Sequence, residues 1–238
     1  MNTPILLRNN GGEPLPYDEH PEYYDAVKTV SHTIIKAIES RRAADSDELP
    51  KNTVAFVGAM PDESGRTVAI NSVLELAAQG LRVAYLELDG LPSESFLKLF
   101  DEKMPADLPE IHIPEGWKLL SGSNGLLIAY SKASELIFTD TRELFNTMSA
   151  HFDCVVVNLP SLLLSSTSSM LADLCGASIL VAKQDVSDFN SLKRAGDLLA
   201  GLRSEFLGCL LSDYDYRKTN RYDEYYHYRR RLSGRVRK

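Results

Sequence analysis

Short apolar runs alternate with longer amphipathic ones along most of this chain, and the two periods predict where strands and helices lie. Between residues 22 and 38 the apolar side chains Ala26, Val27, Val30, Ile34, Ile35 and Ile38 fall at steps of three and four, on one face of a helix. Residues 1–21, with Asn9-Asn-Gly-Gly12 and interspersed prolines, show no period and read as a flexible arm. Residues 22–50 then read as that helix and a polar connector running from Arg41 to Lys51. Beyond them, Val54–Val57, Val83–Leu88, Cys154–Val157, Ala177–Val181 and Phe206–Leu211 read as buried strands, with Trp117–Leu120 as a candidate sixth. Helical patterns separate them at Thr67–Gln79, Ser93–Phe100, Lys132–Ser149, Ser166–Leu174 and Phe189–Leu202. Strands that are apolar on both faces and alternate with helices predict an α/β fold: one open, mostly parallel sheet over residues 51–212 with helices on both faces. No internal repeat is present, and residues 213–238 form a separate tail.

Composition narrows the class. A chain of 238 residues with 44% hydrophobic content can bury one sizeable core. No apolar run reaches the roughly 18 residues of a membrane span, and Met1–Asn10 lacks the apolar block of a secretory signal, so a soluble, cytoplasmic protein is expected. Cys154, Cys175 and Cys209 are odd in number and widely spaced among apolar neighbours, and are expected as buried free thiols. The net charge of −7 hides an asymmetry: residues 214–238 hold nine Lys/Arg against three Asp/Glu, leaving seventeen against thirty elsewhere. An anionic membrane surface or an acidic partner therefore suits the tail, and nucleic acid is unlikely because the acidic body would repel it.

Three predicted strand ends carry candidate chemistry. After the first strand comes Gly58-Ala-Met-Pro-Asp-Glu-Ser-Gly-Arg-Thr67, followed by a helix, the place of a phosphate-binding loop. A working loop reads Gly-x-x-x-x-Gly-Lys-Ser/Thr, because backbone amides wrap the phosphates, lysine neutralises them and the hydroxyl holds magnesium. Here Gly58, Pro61, Asp62, Ser64, Gly65, Arg66 and Thr67 keep the frame and the lysine is missing. The second strand ends in Glu87 and Asp89, expected on one side of the strand because side chains repeat every second residue. The third ends in Asn158, where a metal-organising aspartate would stand.

These segments, in this order and spacing, resemble the bacterial tyrosine kinases of polysaccharide export, the BY-kinases, within the wider MinD/ParA group of P-loop ATPases. The resemblance spans roughly residues 22–212 and includes Pro61-Asp62 in the loop and the stretch Asp173–Val181. It implies a P-loop NTPase fold, a site for ATP or ADP with Mg held by Thr67 and Asp89, and catalytic roles for Glu87 and Asp89 that are vestigial if the chemistry is lost. It implies a partner too: the cytoplasmic end of an inner-membrane polysaccharide co-polymerase or adaptor. The departures weigh heavily. Placing Arg66 at the lysine position requires one inserted residue, whereas an ungapped match through Pro61 and Asn71 puts Gly65 there; either way no lysine reaches the phosphates. Arginine keeps the charge but is bulkier and forked. Glu87 lengthens an aspartate's arm, and Asn158 removes a negative charge. Phosphoryl transfer rests on positioning and charge neutralisation, so a pseudokinase or weak nucleotide binder is the expectation. An active autophosphorylating kinase and a positioning ATPase of the MinD/ParA type stay open as alternatives.

Both ends of the chain bear on this reading. Family kinases build rings through Glu-x-x-Arg-x-x-Arg; the equivalent residues here, Glu22, Asp25 and Lys28, do not support that route, and self-association is left open. The tail packs Tyr214, Tyr216, Tyr222, Tyr225, Tyr226 and Tyr228 into fifteen residues. They resemble the cluster that family members phosphorylate on one another and are the phosphoacceptor candidates.

Overall fold

The computed structural model describes residues 6–8, 13–15, 20–43, 49–63, 65–90, 92, 97, 114, 117–121, 126–131 and 138–213. Its centre is a seven-stranded sheet formed by β3 (Thr53–Gly58), β4 (Val83–Glu87), β5 (Lys118–Ser121), β6 (Leu126–Tyr130), β7 (Cys154–Leu159), β8 (Ala177–Lys183) and β9 (Glu205–Ser212). The spatial order is β5-β6-β4-β7-β3-β8-β9, every pair parallel except β5 with β6. Strands β3, β4, β6 and β7 are buried at every position, as their unbroken apolar runs predict for strands covered on both sides.

Two layers of helix supply that cover. On one face, α1 (Pro21–Ala43) and α2 (Arg66–Ala78) bury Ile34, Ile38, Ile70, Val73 and Leu76 against Val54, Phe56, Tyr85, Val156 and Ile179. On the other, α3 (Phe138–His151), α4 (Ser166–Ala172) and α5 (Phe189–Ala200) pack Leu144, Phe145, Leu171, Ala195 and Leu199 against Ala55, Val57, Leu86 and Val157. Odd and even positions of one strand thus feed different cores, the consequence of a two-residue side-chain repeat.

Several expectations are corrected. The arm over residues 1–21 contains β1 (Leu6–Arg8) and β2 (Glu13–Leu15), an antiparallel pair whose Leu6, Leu7 and Leu15 are buried. Its anchor lies far away in sequence: the Asn71 side chain accepts a hydrogen bond from the Leu7 amide and donates to the Leu7 carbonyl, both at 2.8 Å. Helix α1 runs on through Ala43, into the expected connector, and carries Asp25 and Lys28 on its exposed side. Strand β6 was not foreseen, and of the helix predicted from Lys132 to Ser149 the described part is α3, residues 132–137 lying outside the described residues. All three cysteines are free thiols, but Cys209 is exposed on β9 and only Cys154 and Cys175 are buried. Of the predicted helix Ser93–Phe100, most lies outside the described residues, as do the six tail tyrosines. Among the described residues no helix is long and apolar enough to cross a membrane.

Candidate nucleotide site

The sheet register assembles the site before any side chain is considered. Asn158 on β7 is level with Phe56 of β3 on one side and with Glu87 of β4 on the other. Residues level with one another in neighbouring strands share a face, here the α2 face. The chain leaves β3 at Gly58, makes a single 3₁₀ turn over Pro61–Glu63, and enters α2 through Gly65. Gly65 caps the helix in a helical conformation, φ −75°, ψ −4°, with no side-chain capping bond. A methyl group added to it would lie 3.1 Å from Asn158 Oδ1, 3.2 Å from Phe56 Cβ and 3.2 Å from Val181 Cγ2, so the helix start is pressed onto three strands and a side chain there would have to push its neighbours aside.

Arg66 and Thr67 are thereby the first two residues of α2. Arg66 turns to β4: its Nε donates to Glu87 Oε2 at 2.8 Å, and its guanidinium also donates to the carbonyl of Asp89. Glu87 is fully buried, and four donors converge on its carboxylate. Oε2 accepts from Arg66 and from the Tyr85 hydroxyl at 2.6 Å; Oε1 accepts from the Asn158 amide at 2.9 Å and the Asp89 backbone N–H at 2.8 Å. Burial raises the Glu87 pKa above its ordinary value, while Arg66 and the bonds from Tyr85 and Asn158 pull it back down. The Tyr85 hydroxyl is pushed well above its ordinary range, first by burial and then by the adjacent carboxylate, so it stays a donor. For Arg66, burial acts to lower the pKa but Glu87 outweighs it and the net shift is upward, leaving a permanent cation.

Asp89 corrects the expectation of two carboxylates on one side of a strand. Strand β4 stops at Glu87, so alternation does not extend to Asp89, whose backbone rather than side chain enters the network. Tyr85 was missed although its signal was legible: it precedes Glu87 by two positions and so shares its face. Ser64 lies outside the described residues, and of Asp62 only the backbone is described, within the 3₁₀ turn.

The loop itself holds a second unforeseen group. Glu63 is buried, 1% exposed, and its Oε2 accepts the Met60 N–H at 2.9 Å. The Glu63 carbonyl lies 2.4 Å from where a Cβ on Gly58 would sit, which explains glycine at the end of β3. Leu162 and Leu163, after β7, donate to the carbonyls of Gly58 and Ala59 and close the loop from the other side.

Does this arrangement suit a magnesium nucleotide? The cation beside the loop is engaged by a carboxylate, and that carboxylate has its acceptor sites filled. Asn158 Oδ1, buried and without a hydrogen-bond partner among the described residues, presents an acceptor toward Gly65. A phosphate oxygen is also an acceptor, so the two repel. The residues present do not form the usual cradle, and no group of three or more metal-ligating side chains occurs among the described residues.

No protein-family model matches this sequence, and no curated protein does. Solved structures do match it. The kinase domain of the Escherichia coli tyrosine kinase ETK superposes with a TM-score of 0.58 at 20% identity, covering 79% of this chain and 78% of that one. The chimerical protein CapA2B2 gives 0.60 at 13% identity over 88% and 92%. MinD from Pyrococcus horikoshii, a septum site-determining protein solved with Mg-ADP, gives 0.50 at 13% over 67% and 69%. The fold is that of the bacterial tyrosine-kinase domains and of MinD. Within this fold, the site described above occupies the C-terminal ends of the strands, where open parallel sheets bind their ligands.

Proposed function

We propose that this protein is a BY-kinase-like pseudokinase that regulates exopolysaccharide or capsule synthesis and export. It acts in the cytoplasm, at the inner membrane, through the cytoplasmic end of a polysaccharide co-polymerase. One observation carries the loss of chemistry: Arg66, the nearest substitute for the missing lysine, is paired to a buried Glu87 whose own acceptor sites are filled. A phosphate would have to compete with that carboxylate for the guanidinium, and magnesium would have to displace four donors from it. Drawing the guanidinium away would leave the buried Glu87 carboxylate without its cation, which is unfavourable. The pathway rests on the likeness of fold to tyrosine-kinase domains and on the tyrosine-rich tail.

Titration with Mg-ATP and Mg-ADP in a calorimeter tests the chemistry, together with incubation in radiolabelled ATP. The expected result is binding weaker than about 1 mM, about −4 kcal/mol, with no label on the tail tyrosines. Micromolar binding together with labelling that stops in Arg66→Ala establishes the active kinase instead, the reading that the tail's tyrosine cluster favours. Glycosyltransferase and chain-length genes beside this one support the pathway; a chromosome-partition operon overturns it in favour of a positioning ATPase.

A further inference from the structure

We infer that the loop is ligated from within: the Glu63 carboxylate is an internal anion that takes the backbone donor a phosphate would use and keeps the loop ordered without nucleotide. This rests on the reading of the site as a degenerate phosphate loop and names the contact that holds it shut.

A phosphate loop is disposed to bind anions because successive backbone N–H groups point into its concavity. Here the Met60 amide, two residues beyond Gly58, points at a carboxylate belonging to the loop itself, at 2.9 Å. The Glu63 amide returns to the Met60 carbonyl at 3.1 Å, so both backbone groups of Met60 are bound to one residue three positions away. The Glu63 backbone lies directly against Gly58, with its Cβ 2.9 Å from the point where a Gly58 side chain would begin. A buried anion in this place does two things. It satisfies a donor that would otherwise be exposed, which orders the turn, and it repels any phosphate approaching the same concavity. A surface glutamate could move aside at little cost; one that is 1% exposed cannot leave without opening the turn. The state of the loop, and any surface a partner reads from it, is then constant whatever the nucleotide supply.

Amide hydrogen exchange of residues 58–67 in the full chain tests this, with Mg-ADP and inorganic pyrophosphate as probes. In the unmodified protein the Met60 amide is expected to be protected without ligand and unchanged by either probe at 10 mM, on the order of ten times the weakest affinity considered above. In Glu63→Ala its exchange should accelerate at least about tenfold, the loss of one charge-assisted hydrogen bond, and pyrophosphate should restore protection. Glu63→Gln retains an oxygen acceptor of the same reach without the charge. It should keep the amide protected while admitting pyrophosphate, seen as slower exchange at Gly65 and Arg66. The Val57 amide in β3 reports that each variant is folded. Added protection of the unmodified loop by Mg-ADP overturns the inference, as does a Met60 amide indifferent to Glu63→Ala. Self-labelling with ATP by a protein whose Met60 amide still responds to Glu63→Ala overturns the pseudokinase reading and the exclusion of phosphate together, whereas absence of labelling with a Met60 amide indifferent to Glu63→Ala overturns the internal anion alone.

Discussion

Removing either partner of the Arg66–Glu87 pair leaves a different fault behind. Arg66→Ala strands a carboxylate that is fully buried, with three neutral donors and no cation. Loss of one member of such a pair should cost about 3 kcal/mol in urea-induced unfolding, and the double variant Arg66→Ala/Glu87→Gln should recover much of it because no charge remains to be buried. The pH dependence follows from the direction of the shift. The Glu87 pKa in the folded protein is raised above its ordinary 4.5, so between that value and the folded one the native state binds more protons than the unfolded chain. Stability from this group therefore falls as pH rises through that window and is level above it. Arg66 lowers the folded pKa, so Arg66→Ala should extend the window upward and its deficit should grow between pH 5 and pH 8. Unfolding curves at the two pH values check this; a deficit independent of pH would show that the pair is not felt by Glu87. At Gly58, replacement by alanine drives a methyl to 2.4 Å from the Glu63 carbonyl. The turn must shift, at a cost of about 1–3 kcal/mol in the same unfolding assay.

At the scale of elements, what the sequence showed and what it hid have separate physical causes. Helix α1 was legible because its apolar stripe repeats over six residues, and β3, β4, β7 and β8 because strands covered on both faces need unbroken apolar runs. Strand β6, Leu126–Tyr130, has the same kind of run but pairs antiparallel with the shorter β5, and no helical pattern precedes it to mark a crossover. The β1–β2 pair left still less trace. Three residues on each side give no period, and what fixes them is a side chain 64 positions away. Asn71 is fully buried and serves the Leu7 amide, the Leu7 carbonyl and the Tyr23 hydroxyl, while the Tyr24 hydroxyl donates to Leu15. Asn71→Leu keeps the volume roughly but orphans the two backbone groups of Leu7. Local opening of the pair should become easier by about 2 kcal/mol, or about thirtyfold in exchange of the Leu7 amide, with β3 amides unaffected. Equal acceleration in β3 would mean that the pair is integral to the global fold.

For the molecule as a whole, the candidate site was legible as three strand ends and illegible as a network. Spacing located Arg66, Glu87 and Asn158, but which of them bind one another depends on the β4–β7 register and on where α2 begins, and neither is encoded locally. The departure of Arg66 from lysine thus gains its meaning only through Glu87, 21 residues on, and through Glu63 in the same loop. Charge is the property that acts at this largest scale. Residues 1–213 carry seventeen basic and thirty acidic side chains, and residues 214–238 nine and three. The body alone is therefore repelled by an anionic bilayer, and binding there depends on the tail, at about 1 kcal/mol for each basic residue brought near the surface. The full chain should co-sediment with vesicles containing phosphatidylserine at low ionic strength and be released near 0.5 M salt, where the Debye length is only a few ångström. A chain ending at Asp213 should stay in the supernatant at every salt concentration. If both forms stay in solution, the tail's charge does not suffice to hold a bilayer and the prediction fails; if both sediment, attraction resides in the body and the charge argument fails.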